Sequence, residues 1–211
     1  MNAKIGTERL FVVTGGPGSG KTALIEALAS QGVGTMPEAG RGIIRDQQAV
    51  GGAALPWGDR EAFAEAMLVW EMRSHAEALR RGATVVFDRG VPDVAGYLRL
   101  CGLPVPAHVE QAARIVRYAP RVFLAPFWPE IFTRDAERRQ DMAEAEATCE
   151  VMTRVYTALG YELVPLPLGP VAERVRFVRD AIGSPQRRSA KKARSSACDS
   201  RSETPPQTSG L

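Results

Sequence analysis

The stretch RLFVVTGGPGSGKTALIEALAS, residues 9–30, decides the fold. Its first part, Arg9–Thr14, is a β-branched and apolar run of buried-strand character. A glycine-rich turn follows, and then a helical pattern over Lys21–Ser30. Within it Gly15, Gly16, Pro17, Gly18, Ser19, Gly20, Lys21 and Thr22 fit G-x-x-x-x-G-K-[ST] without a gap. The strand before and the helix after are the context that this motif needs. Gly15, Gly18 and Gly20 allow positive φ, which brings backbone N–H groups close to phosphate oxygens. The helix N-terminus, as far as Ala23, adds its positive dipole end. Lys21 is then expected to reach the β- and γ-phosphates, and the Thr22 hydroxyl to ligate Mg²⁺. A chance glycine-rich turn is the competing reading. Against it, Lys4 and Lys21 are the only lysines before residue 183 in a region that otherwise uses arginine. The stretch predicts nucleoside-triphosphate binding.

Outward from this stretch, short apolar runs alternate with longer amphipathic ones. Strands are expected at Gly34–Pro37, Ala83–Phe87, Arg121–Ala125 and Tyr161–Val164. Helices are expected over Glu38–Gln48, Asp59–Arg81, Pro92–Leu100, Pro106–Tyr118, Met142–Leu159 and Val171–Ile182. A helical stretch at Pro129–Arg139 follows the fourth strand. This β-α-β-α order predicts a parallel sheet covered on both faces, with ligands at the carboxyl ends of the strands.

Composition narrows the class. The 211 residues are 45% hydrophobic and 24% charged, which suits a globular chain of one domain, and no run approaches the length of a membrane helix. The opening MNAKIGTERLFVV lacks an export pattern, and Cys101, Cys149 and Cys198 have no paired spacing; both point to a cytoplasmic, reducing setting. Of 27 Lys/Arg and 24 Asp/Glu, six and two fall in residues 184–211, leaving 21 against 22 in residues 1–183. The body is therefore near neutral, which argues against nucleic-acid binding by it. The last 28 residues contain no aromatic and only Leu211 as a large aliphatic. They read as a disordered basic tail, either solubilising or in contact with an anionic partner.

Asn2 is the only asparagine. An N-K-x-D guanine-recognition motif is therefore absent, as is the catalytic-loop asparagine of protein kinases. Adenine is the expected base. Asp88-Arg89 stands directly after the apolar run ATVVF, where a carboxylate can hold Mg²⁺ through water or accept a hydroxyl proton. A surface Asp–Arg pair at a strand end is the alternative.

GGPGSGKTALIEAL, PEAGRGIIRDQ, VVFDRGVPDVAGYLRLCGLPVP and TRDAERRQDMAEAE together resemble the AAA-type ATPase domain family of small proteins akin to NadR-type nicotinamide riboside kinases. The resemblance runs from about Leu10 to Ile182. It implies an α/β P-loop NTPase three-layer sandwich with a five-stranded parallel sheet, kinase-like, with a short arginine-bearing lid. It also implies that Glu38 takes the acceptor hydroxyl's proton and that Arg41 and Arg89 face the acceptor. For Glu38 a helix N-terminal role fits equally, and for Arg41 and Arg45 a solvated helical stripe. Arg134, Arg138 and Arg139 fall where similar kinases carry a lid that closes over the triphosphate. Asp135 and Arg139 form an i,i+4 pair, so Arg138 is the preferred lid arginine. Cys101 and Cys149 are expected to be inert core thiols; Trp57, Trp70 and Trp128 read as packing residues, with Trp57, in the Pro/Gly-rich break, the alternative candidate for stacking on an acceptor ring. The expected reaction is Mg²⁺-assisted transfer from ATP to a small nucleoside-like hydroxyl. The alternative is an NTPase whose nucleotide state orders a surface for a protein or lipid partner.

Overall fold

The computed structural model describes residues 6–131 and 142–183. Its strands are β1 (Leu10–Gly15), β2 (Gly34–Met36), β3 (Val85–Asp88), β4 (Arg121–Ala125) and β5 (Glu162–Pro165). They form one sheet in the order β2-β3-β1-β4-β5, and every pairing is parallel. All of β1 and β3 is buried, which is why both read as continuous apolar runs rather than alternating ones.

The two faces are sorted by the period of the strand. Phe11 and Val13 meet Leu24 and Leu28 of α1 (Lys21–Ser30) and Val175 and Val178 of α7 (Val171–Gly183). Leu10, Val12, Val85 and Phe87 point the other way. They pack against α3 (Arg60–Arg81), α4 (Val91–Leu100), α5 (Ala107–Ile115) and α6 (Met142–Ala158). A third cluster joins α2 (Ala39–Val50) to α3 through Ile43, Ile44 and Phe63. Helix, sheet and helix make the expected three-layer sandwich.

Several boundaries move for identifiable reasons. Residues Thr7–Arg9 form a 3₁₀ turn, so β1 begins at Leu10. The Asp59 carboxylate accepts from the Ala62 N–H at 2.9 Å and caps α3, which ends before Gly82 at φ 65°. The expected helix to Tyr118 stops at Ile115, because Val116, Tyr118 and Ala119 turn inward to the core. There the Tyr118 hydroxyl accepts the Val91 N–H at 3.2 Å. Of Pro129–Arg139, a 3₁₀ turn at Pro129–Ile131 is described. Arg134, Asp135, Arg138 and Arg139 lie outside the described residues, as does the basic tail. Among the described residues no helix is long and apolar enough to cross a membrane.

The chain leaves β1 toward β2 on one side and later returns to β4 on the other. The carboxyl end of β1 is thus the switch point of the sheet, where ligands of open parallel sheets bind.

Candidate active site

The loop from Gly15 to Gly20 fills that switch point. Gly15, Gly18 and Gly20 take φ of 132°, 70° and 74°, as their spacing predicts. A side chain at Gly15 would strike the Ala125 carbonyl, so φ and close approach both require glycine there. Lys21 is nearly buried and folds over the loop: its Nζ donates to the Gly16 carbonyl at 2.5 Å and to Ser19 Oγ at 3.2 Å. Ser19 Oγ donates to the same Gly16 carbonyl at 2.7 Å. The loop is thereby shaped from within. Thr22 and Ala23 stand exposed at the start of α1.

Beside the loop, Arg89 is the centre of a buried ionic cluster. Its Nε donates to Glu38 Oε1 at 2.9 Å and its terminal nitrogen to Asp93 Oδ1 at 3.1 Å. Glu38 Oε2 accepts from Arg41 Nε at 3.3 Å. Arg89 is the one non-glycine residue at positive φ (75°) among the described residues. That conformation costs on the order of 1 kcal/mol or more. It is held by the Arg89 N–H donating to the Val13 carbonyl at 3.0 Å and by both carboxylates. Burial opposes the charge on Arg89, but Glu38, Asp93 and Asp88 outweigh it and hold the guanidinium protonated above its ordinary range.

Asp93 is the residue that sequence reasoning missed. Its Oδ1 accepts from the Thr14 hydroxyl at 2.7 Å as well as from Arg89, and its Oδ2 from Tyr156 Oη at 2.6 Å and the Gly90 N–H at 3.1 Å. Four donors occupy its lone pairs, so it serves as an anchor for Arg89 rather than as a base. The i,i+4 spacing of Arg89 and Asp93 in DRGVPD was the available signal. Glu71 of α3 also went unread. It is 4% exposed, and burial, followed by the negative Asp93, Asp88 and Glu38, raises its proton affinity well above a usual carboxyl, with Arg89 pulling the other way.

Asp88, at the end of β3 in register with Val13 of β1, is 4% exposed. The surface-pair reading of Asp88-Arg89 is therefore wrong: Arg89 turns to Glu38 and Asp93. Glu38 sits at the N-cap of α2 but makes no side-chain capping bond; its carboxylate is turned to the two arginines. Arg41 joins the cluster, whereas Arg45 pairs with Asp46 at the surface, so only the second fits the solvated stripe.

A cavity of about 340 Å³ opens between the loop and α2, α3, α4 and α6. Pro17 of the loop lines it together with Glu38 and Arg89; Trp57, Phe63 and Tyr97 supply aromatic wall. Cys101 also lines it and is only half-buried, which corrects the expectation of a core thiol. Cys149 is likewise half-buried, its thiol pushed up by burial. A hydroxyl on Thr22 and a carboxylate on Asp88 are hard oxygen donors of the kind Mg²⁺ takes together with phosphate and water. Among the described residues no cluster of three or more His, Cys, Asp or Glu could hold a metal ion.

The geometry matches known folds. Residues 10–174 match the AAA domain family AAA_28. The structure is similar to NadR protein in complex with NR (TM-score 0.61, 19% identity, 83% of this chain). This chain spans about half, 51%, of that protein. It is also similar to shikimate kinase from Acinetobacter baumannii in complex with shikimate (TM-score 0.54, 16% identity, 86% of this chain and 97% of that one). A third likeness is deoxyadenosine kinase from M. mycoides with products dCMP and dCDP bound (TM-score 0.54, 10% identity, 82% and 98%). No curated protein sequence matches. With a β1 loop of this shape on a β2-β3-β1-β4-β5 sheet and a family match over residues 10–174, the chain belongs to the AAA domain family.

Proposed function

We propose that the protein is an ATP-dependent kinase that phosphorylates a hydroxyl of a small nucleoside-like acceptor. One observation carries this reading: a cavity of small-molecule size abuts the loop at Pro17 and has Glu38 and Arg89 in its wall. The similar structures hold NR, shikimate, and the products dCMP and dCDP, all small molecules.

In this reading the amides of Gly16 and of Gly18 to Ala23, together with the Lys21 ammonium, hold the triphosphate. Thr22 would hold Mg²⁺ directly and Asp88 through water, and the ion when bound would neutralise phosphate charge. The acceptor's ring lies along Trp57 and Phe63, and Glu38 accepts a hydrogen bond from one of its hydroxyls. Arg89 and Arg41 fix the Glu38 carboxylate by occupying both its oxygens. In the transfer, the bond between the γ-phosphorus and the β,γ-bridging oxygen breaks and the acceptor oxygen–phosphorus bond forms. The hydroxyl proton passes to Asp88, and ADP leaves. Arg138, outside the described residues, is the proposed lid arginine that covers the transferring group.

The test is acceptor-dependent ATP consumption by the full chain against a panel of nucleosides. At least one nucleoside should raise turnover at least tenfold over the acceptor-free rate. Lys21→Ala should abolish ATP binding with the melting temperature little changed. Turnover indifferent to every acceptor would refute the kinase reading, and wild-type ATP affinity in Lys21→Ala would refute the site.

A further inference from the structure

Arg174, in the first turn of α7, is a second buried arginine, and it is treated quite differently from Arg89. It is 2% exposed. Its NH1 donates to the Ser19 carbonyl at 2.9 Å, while its Nε is buried with no hydrogen-bond partner among the described residues. Arg89 has Glu38 and Asp93 against it; no carboxylate among the described residues pairs with Arg174. Burial alone acts on its guanidinium, and lowers its proton affinity.

The place is specific. A Cβ built on Gly20 would lie 2.6 Å from Arg174 NH1, so the guanidinium rests against the Ser19–Gly20 peptide. Lys21 and the first turn of α1 follow at once. A buried cation with one neutral acceptor and an unused donor is a net cost to the fold. An apolar side chain at 174 would instead extend the contact that Val175 and Val178 already make. Packing therefore gives no reason for an arginine here. An anion does.

We propose that Arg174 is a positioning residue of the nucleotide site, which fixes the Ser19–Gly20 peptide so that the following amides face the phosphates and whose missing counter-charge is the bound triphosphate. This rests on the reading of the loop as a triphosphate site. It differs from a structural prop in its consequence: the residue costs stability in the free protein and returns it only when phosphate is present.

The experiment measures melting and equilibrium binding of ATP, ADP and AMP for the wild type, Arg174→Met and Arg174→Lys, all as full chains. Without nucleotide, Arg174→Met should melt no lower than the wild type. Its ATP affinity should fall about tenfold or more, the scale of a lost charge-assisted contact. The loss should shrink from ATP to ADP to AMP, because the phosphates carry it. Arg174→Lys keeps the charge and should hold the ATP-to-AMP affinity ratio within about threefold of the wild type. The proposal is overturned if Arg174→Met melts well below the wild type while the three nucleotides weaken by one common factor or not at all. Should the methionine variant not fold, collapse of the affinity ratio in Arg174→Lys overturns it, and retention supports it. A wild type that binds no ATP would instead remove the underlying reading of the loop, an outcome distinct from either.

Discussion

Two carboxylates near the loop have different neighbours, and the proposed function gives them different work. Glu38 lines the cavity and has both oxygens engaged by Arg89 and Arg41. Asp88 ends β3 in register with Val13, two residues before the loop begins. Asp88→Asn keeps the shape and removes the charge. ATP binding should survive it, since in the proposed reading backbone amides and Lys21 carry most of that binding. Transfer should fall by about a hundredfold or more, the usual scale for losing an acid–base group. Single-turnover phosphoryl transfer at near wild-type rate would remove Asp88 from the chemistry. Glu38→Gln should act elsewhere, raising the acceptor KM more than it lowers kcat. It should also lower the melting temperature, because it strips one of the two carboxylates from the strained, buried Arg89. Equal losses in kcat for both variants would show that the division of labour is wrong.

At the scale of elements, legibility in the sequence followed distance along the chain. The strand, loop and first helix are contiguous, so RLFVVTGGPGSGKTALIEALAS contains every part needed to read them, down to the three positive-φ glycines. Arg89 and Asp93 are one helical turn apart and were readable in principle. Glu71 and Arg174 were not, because α3 and α7 reach the site only through the crossovers of the sheet, and neither residue belongs to a local pattern. The end of α5 was misjudged for a related reason: Tyr118 is taken from the helix by a tertiary bond to Val91. Glu71 also marks what α3 contributes beyond apolar packing. Burial and the surrounding negative Asp93, Asp88 and Glu38 favour its neutral form in the folded state. A carboxyl whose folded value is raised binds a proton that the unfolded chain has already released. Stability from this group is therefore complete below the unfolded value, about 4.3, and declines as pH rises toward the folded one, by about 1.4 kcal/mol per unit. Glu71→Gln should match the wild type in melting near pH 4 and exceed it at pH 8. Parallel melting curves of pH for the two proteins would show that Glu71 is ionised in the fold.

For the whole molecule the division of charge matters more than its total. The net charge of +3 is a body of −1 and a tail of +4, the tail holding six Lys/Arg against Asp199 and Glu203. Every group placed at the proposed site among the described residues, from Gly15 to Arg174, lies in the body, which also holds both faces of the core. A chain ending at Gly183 gives up one large aliphatic residue and no aromatic, which predicts little loss of buried apolar area. Its melting temperature should stay within about 2 °C of the full chain, under 1 kcal/mol for a protein of this length. ATP at a hundred times its Kd should stabilise both forms alike, by about 2.7 kcal/mol. Acceptor-dependent ATP turnover should also be equal in the two at physiological salt, where a tail charge more than about 8 Å from the phosphates is largely screened. The nucleotide-switched binding alternative makes the opposite demand, because it gives the basic segment the partner. A truncated chain that keeps its melting temperature and ATP affinity but loses its turnover would move the function out of the cavity and into the tail.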